Sequence, residues 1–211
     1  RRSSDLTKLD EIAPAILETW FGGTQAGNGI ADVLFGDYNP SGKLTMTFPR
    51  SVGQVPIYYN HKNTGRPLDP ERPDFKYLSK YIDSPNDPLY PFGYGLSYTT
   101  FKYDKLSVNV VSDQIDIRVN VSNTGESDGE EVVQLYVQDK IGTITRPVKE
   151  LKGFQKIMIK KRKAKTVEFT LTKDDLAFYH PELTKSFEPG EFVIYVGGNS
   201  VDTIKQTVEV K

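Results

Sequence analysis

The chain reads as mainly β: a β-sandwich over its second half, preceded by the tail of an α/β layer. Three observations predict this. From Tyr103 onward, apolar and polar residues alternate in short runs separated by turn residues, the period-two signature of strands with one buried face. Over residues 1–50 a short apolar run, a helical face and a second alternating run follow one another, the strand–helix–strand order of an α/β layer. Between these halves, residues 51–101 carry prolines at 56, 67, 70, 73, 85, 88 and 91, which forbid a regular helix over most of the segment.

Taken in order, Ala15-Ile16-Leu17-Glu18-Thr19-Trp20-Phe21 has the length of a buried strand, and Gly22-Gly23 breaks it. Thr24 offers an N-cap hydroxyl, and Ala26, Ile30, Val33 and Leu34 fall on one helical face. Gly36 stands where a left-handed C-terminal cap is expected, and Asn39-Pro40-Ser41-Gly42 is a turn. Leu44, Met46 and Phe48 alternate with Lys43, Thr45 and Thr47, predicting a strand ended by Pro49. In the middle segment Tyr58, Tyr59, Phe75, Tyr77, Tyr81 and Tyr90 must be buried against something, which predicts an ordered loop lying over a surface mostly missing from this chain. That segment closes on Pro91-Phe92-Gly93-Tyr94-Gly95-Leu96-Ser97-Tyr98-Thr99-Thr100-Phe101. Its glycines suit a positive φ or a close approach of another segment, and its aromatics suit a packed seam.

Seven strands follow. They centre on Leu106 to Val110, Ile115 to Val121, Val133 to Val137, Val148 to Ile159 (broken at Gly153), Val167 to Leu171, Phe192 to Val196 and Ile204 to Val210. Seven short antiparallel strands with regular turns make a sandwich, and the absence of a cysteine pair and of a core Trp argues against an immunoglobulin domain proper. The full expectation is a fibronectin type III-like β-sandwich (102–211) behind the C-terminal part of an α/β sandwich domain (1–50), joined by an ordered aromatic and proline-rich loop (51–101).

With 211 residues and a net charge of −1, the chain is long enough for one large domain and offers no charge-based reason to expect nucleic acid as a partner. Without cysteine it has no disulfide and no thiolate ligand for zinc. No apolar run reaches the roughly eighteen residues of a membrane span, and no signal peptide opens the chain. Arg1-Arg2-Ser3 begins without Met, and the expectation is a piece of a longer protein.

These residues resemble a family. The run through Gly22-Gly23, then Gly27-Asn28-Gly29-Ile30-Ala31-Asp32-Val33-Leu34-Phe35-Gly36-Asp37-Tyr38-Asn39-Pro40-Ser41-Gly42-Lys43-Leu44, is similar to the C-terminal part of family 3 glycoside hydrolases. The aromatic seam, Asn123-Thr124-Gly125 and Arg146-Pro147-Val148-Lys149-Glu150-Leu151-Lys152-Gly153-Phe154 resemble the same family in the same order, and Asn63-Thr64-Gly65-Arg66-Pro67 resembles its bacterial periplasmic β-glucosidase branch. Gln25-Ala26 and the Lys160 to Lys165 turn depart from the usual pattern at positions the family does not use for chemistry. The resemblance implies a parent enzyme with a TIM-like barrel first, then the α/β sandwich, then the fibronectin type III-like domain. Such an enzyme hydrolyses β-linked glucosides with retention, using an Asp nucleophile on the barrel and a Glu acid/base usually on the α/β domain, the two carboxyls roughly 5 Å apart. Both would precede residue 1, so no catalytic residue, metal or cofactor is expected in this chain, which by itself would be inactive. Its partners would be the barrel and the rest of the α/β domain, and in the intact enzyme a β-glucoside or oligosaccharide. The parent would be periplasmic or secreted.

The candidate substrate-binding residues are His61, Lys62, Asn63 and Arg66, on a Gly/Pro-punctuated loop beside Tyr58 and Tyr59. Sugar sites need aromatic faces and several hydrogen-bond donors, and loops over a rigid scaffold commonly carry them. The competing reading is an inter-domain packing loop. Asp32, Asp37, Asp74, Asp83 and Asp87 read as caps and turns, His180 as structural, Lys160 to Lys165 as a solvated hairpin, and the sequon Asn120-Val121-Ser122 lies inside a strand. The alternative for the whole chain is a free-standing carbohydrate-binding or adhesive sandwich, which would have no need of residues 1–50.

Overall fold

The computed structural model describes residues 6–69, 71, 72 and 74–211, so the chain's first five residues and the helix breakers Pro70 and Pro73 lie outside the described residues. The fold is mainly β. Two sheets make the sandwich: β1 (Phe101–Val111), β2 (Gln114–Asn123) and β5 (Ala164–Thr172) in the order β1-β2-β5, and β3 (Gly129–Asp139), β4 (Glu150–Ile159), β8 (Gly190–Gly197) and β9 (Thr203–Val210) in the order β4-β3-β8-β9. All pairings in them are antiparallel. A short hairpin, β6 (Phe178–Tyr179) with β7 (Lys185–Ser186), sits beside them.

The alternation explains the core. Ile115, Ile117, Val119 and Val121 of β2 face Val133, Leu135 and Val137 of β3 and Phe192, Ile194 and Val196 of β8, all buried in one cluster. Their intervening neighbours Asp116, Arg118 and Asn120 point the other way. The expected break at Gly153 is a β-bulge instead: Leu135 pairs with Gly153 while Tyr136 pairs with Leu151, so Lys152 is the extra residue and the strand continues. Gly153 lets Phe169 lie against the backbone there, since a methyl group at Gly153 would stand 3.3 Å from its ring.

Ahead of the sandwich, α1 (Leu6–Ile12) is a short helix that the sequence pattern does not predict, and α2 (Ala26–Phe35) is the predicted one. Gln25, not Thr24, holds the N-cap position and makes no side-chain cap bond; Gly36 takes the left-handed cap at φ +86° and donates its N–H to the Val33 carbonyl. The predicted strand over 15–21 does not form. A strand exists only as part of a ladder, and no described segment pairs its backbone with this one, although the Trp20 ring meets Phe48 edge-on; Phe21 is fully exposed at its end.

The predicted strand over 44–48 is likewise not an extended ladder, but its partner is present. Leu44 N–H donates to Tyr94 O and Gly93 N–H to Leu44 O, each at 2.8 Å, and Phe48 N–H donates to Tyr90 O at 2.9 Å. The seam itself is therefore the backbone partner of residues 44–48. On its other side the seam packs on the outer face of the four-stranded sheet. The ring of Phe92 stacks on Tyr59 at 4.3 Å, and Tyr59 meets Tyr136 edge-on at 5.7 Å. Gln134, buried at 3% exposure on β3, donates to the carbonyls of Gly93 (3.1 Å) and Gly198 (2.6 Å).

The two glycines of the seam have distinct reasons. Gly93 has φ +81°, and a methyl group there would stand 2.1 Å from Gln134 Oε1; at Gly95 it would stand 2.2 Å from the Gly42 carbonyl oxygen. A buried ion pair locks the same place. Lys43 Nζ lies 3.1 Å from Glu131 Oε2 and donates to Gly95 O at 2.9 Å, while Tyr103 donates its hydroxyl to Glu131 Oε1 at 2.8 Å. Burial, then the Glu131 charge, push the Tyr103 phenol far above its ordinary pKa.

Candidate functional site

The loop that carries the candidate residues is held at both ends. At its start Lys62 bridges to Pro147, and Val148 N–H donates to the His61 carbonyl at 2.9 Å, so backbone pairing ties His61 and Lys62 to the strand-like approach to β4. At its far end Ser79 N–H donates to Arg66 O at 2.8 Å and Thr64 exchanges a hydroxyl hydrogen bond with Ser79 at 2.7 Å. Asn86 then ties down the segment after it, accepting from Tyr81 N–H and donating to Ser79 O. Gln54, which is 1% exposed, braces the base of the loop by donating to the carbonyls of Pro85 (2.9 Å) and Asp87 (3.2 Å). These bonds order an irregular loop without a ladder.

The four candidates do not converge on one pocket. All are exposed. Asn63 lines a groove of about 380 Å³ whose opposite wall is the β3–β4 loop with Asp139 and Arg146. Arg66 lines a second groove of about 670 Å³ with Leu68, Arg72, Phe75, Tyr77 and Leu78. There the Arg66 guanidinium lies 5.4 Å from the Tyr77 ring centre and that of Arg72 5.6 Å from Phe75. The rings of Phe75 and Tyr77 meet edge-on at 5.7 Å. Arg72 also pairs with Asp69 at 2.9 Å, and that hydrogen bond holds the Asp69 carboxyl below its ordinary pKa. The second groove thus offers aromatic faces and planar cationic donors, the chemistry that binds sugar rings and their hydroxyls.

The loop is ordered, and its rings are only partly buried. Tyr59 is packed in the seam, but Tyr58, Phe75, Tyr77 and Tyr81 remain exposed, because nothing among the described residues covers that side of the loop.

Pattern reasoning missed the first groove's wall. Asp139 and Arg146 are an ion pair at 3.5 Å, and neither Asp139 Oδ2 nor Arg146 Nε has a hydrogen-bond partner among the described residues. Arg146 also bonds Glu150 through Nη2 at 2.9 Å and lies over the Phe178 ring at 4.1 Å. Burial raises the Asp139 carboxyl above its ordinary pKa, against the lowering by Arg146. Arg146 opens the Arg146-Pro147-Val148 motif, and an arginine fixed beside a proline was the available signal. His180 is structural: its Nε2 lies 2.8 Å from Ser186 Oγ and its ring packs on Phe178. Among the described residues no three His, Cys, Asp or Glu side chains group to hold a metal ion.

The comparisons with known proteins bear on this arrangement. The Glycosyl hydrolase family 3 C-terminal domain matches residues 2–98, and the Fibronectin type III-like domain matches residues 131–200. The chain belongs to glycosyl hydrolase family 3. A periplasmic beta-glucosidase of Salmonella typhimurium is 53% identical over 199 residues, covering 92% of this chain and 26% of that protein. A beta-xylosidase of Formosa agariphila is 45% identical, covering 99% of this chain and 28% of its own length. Among solved structures, the beta-glucosidase of Listeria innocua in complex with glucose superposes with a TM-score of 0.93 at 45% identity, over 97% of this chain and 29% of that one. The family 3 chain thus spans between a quarter and a third of the length of these relatives.

Proposed function

We propose that this family 3 chain is the C-terminal accessory portion of a retaining β-glucosidase that removes terminal β-D-glucosyl residues in the periplasm or outside the cell. Residues 1–50 complete the α/β sandwich domain of the parent, 51–101 form the strap across it, and 102–211 form the fibronectin type III-like brace. The nucleophile and acid/base belong to the parent's preceding domains, so the chain by itself is inactive.

The observation that carries this reading is the open side of residues 12–46. Ile12, Phe21 and Phe35 are each at least 80% exposed, Leu34 and Met46 are also exposed, and residues 15–20 form no ladder. An apolar face next to backbone without a ladder is what a sheet layer awaiting its remaining strands would present. A free-standing binding module has no use for such a face. The 61–66 loop, anchored beside the seam, lends Arg66 and Asn63 to the rim of the substrate pocket.

The test is complementation. The chain is mixed with the N-terminal remainder of its parent, and hydrolysis of 4-nitrophenyl β-glucoside and β-xyloside is followed. Activity restored on mixing, faster on the glucoside, supports the reading; a faster xyloside would move the substrate to the pentoside that the Formosa relative's name points to. Glycan affinity of the chain alone, with no complementation, would favour the binding-module alternative. In the reconstituted enzyme Arg66→Ala raises KM several-fold, about 1 kcal/mol of lost binding. Unchanged kinetics with a lowered melting temperature would leave the loop a packing role only.

A further inference from the structure

We propose that the turn between β4 and β5, residues 160–165, where the chain crosses from one sheet to the other, is a docking surface for acidic polysaccharide, separate from the loop at 61–66. Lys160-Lys161-Arg162-Lys163-Ala164-Lys165 puts five cations in six residues, and all six are exposed. The rest of the chain more than balances them, since the net charge is −1, so the positive charge is local.

The turn is rigid. Lys163 N–H donates to Lys160 O at 3.0 Å to close the turn, Asn123 N–H holds Lys163 O at 2.9 Å, and Lys161 N–H donates to Asp128 Oδ1 at 2.7 Å. Fixed stems limit the ordering that binding requires, which favours a multivalent electrostatic contact. Turn chemistry does not ask for these residues. Arg162 sits at φ +59°, a left-handed position where glycine or asparagine is less strained.

The neighbouring acids are already engaged. Glu126 pairs with Arg162 and also feels Lys161, Glu130 pairs with Lys156 at 2.7 Å and accepts from Tyr38, and Asp128 caps the turn. The ammonium groups of Lys160, Lys163 and Lys165 form no ion pair with a carboxylate among the described residues.

The composition of the turn selects the partner. It holds no aromatic ring on which bases would stack, which disfavours single-stranded nucleic acid. Ala164 is its sole apolar side chain, too small to anchor the turn in a bilayer. A flexible polymer with regularly spaced carboxylates needs neither, and is complementary in charge to the exposed cations clustered on and beside this turn.

Affinity electrophoresis of the chain tests this, with polygalacturonate as the acidic probe, dextran as its neutral counterpart, and phosphatidylglycerol vesicles in a parallel sedimentation assay. The expected result is retention by polygalacturonate and not by dextran, lost as salt rises to about 0.3 M. Lys160→Glu/Lys163→Glu/Lys165→Glu weakens retention about tenfold or more, and the corresponding triple glutamine variant weakens it less. Lys8→Glu/Lys105→Glu/Lys211→Glu, which makes the same charge change at exposed sites elsewhere, stays within about twofold of the parent chain. Circular dichroism of each variant verifies the fold. No retention of the unmodified chain, equal loss in the two glutamate triples, or tighter binding to the vesicles than to polygalacturonate overturns the proposal.

Discussion

Removing the Lys43 ammonium should loosen the seam between the α/β tail and the sandwich. Lys43 and Glu131 side chains are 13% and 5% exposed and 3.1 Å apart. At that separation and an effective dielectric constant of about 20, their gross attraction is about 5 kcal/mol, most of it offset by the cost of desolvating both charges. The ammonium's absence is different, because Lys43→Met leaves the Glu131 carboxylate buried with the Tyr103 hydroxyl as its remaining donor. That uncompensated charge costs about 3 kcal/mol. Adding Glu131→Gln removes the charge while keeping an acceptor for Tyr103, so the double variant should recover most of the loss, with a coupling of about 2 kcal/mol in the cycle. Guanidinium unfolding of the four proteins measures this. Far-UV circular dichroism reports the sandwich, and the fluorescence of Trp20, the chain's single tryptophan, reports the tail, where it packs edge-on to Phe48. In Lys43→Met the Trp20 transition should move to lower denaturant than the sandwich transition. A loss under about 0.5 kcal/mol, or strictly additive single effects, would refute the argument, since it would mean that water already screens the pair.

Two further perturbations probe the same region and the first groove. Gly93→Ala should destabilise the chain more than Phe92→Ala, in chemical denaturation. The first places a methyl group on Gln134 at φ +81°, costing about 2 to 4 kcal/mol, whereas the second truncates a half-buried ring stacked on Tyr59, costing about 1.5 to 3 kcal/mol; the reverse order would mean that the backbone yields at Gly93. Because burial holds the Asp139 carboxyl above its ordinary 3.8, the native state keeps that proton to higher pH than the unfolded chain does. Its contribution to stability is therefore largest in acid and declines as pH rises through the raised value. Asp139→Asn should flatten the curve of melting temperature against pH in the range immediately above 3.8, and an unaltered slope there would show that Arg146 already compensates the charge.

What was legible in the residues follows from whether a pattern is local. Ile115, Ile117, Val119 and Val121 declared a half-buried strand by alternation alone, and Gly36 declared the end of α2 by its place after Leu34 and Phe35. The strand expected over 15–21 has the same local credentials and no ladder, because pairing is a property of two segments and no second segment pairs with it among the described residues. At the candidate site, the tyrosines, arginines and turn residues of 58–81 marked a loop with binding chemistry. Their distribution between two grooves was illegible, since it depends on Lys62 bridging to Pro147 and on Arg66 reaching Tyr77. Asp139 and Arg146 were passed over because they are ordinary surface residue types until a fold buries them together.

By itself the sequence determined the fold class, the family, and the identity of the residues that require explanation at the seam: two glycines among four aromatics. Only the tertiary structure decided what each of them does. Gly93 makes way for Gln134 from β3, Gly95 for the backbone of Gly42, and Phe92 and Tyr94 take different neighbours, Tyr59 and Tyr90. Periodicity reports which face of an element avoids water, a property of consecutive residues. It carries no information about which distant segment arrives on that face, and in this chain those arrivals, Lys43 at Glu131 and Leu44 at Tyr94, join the two halves.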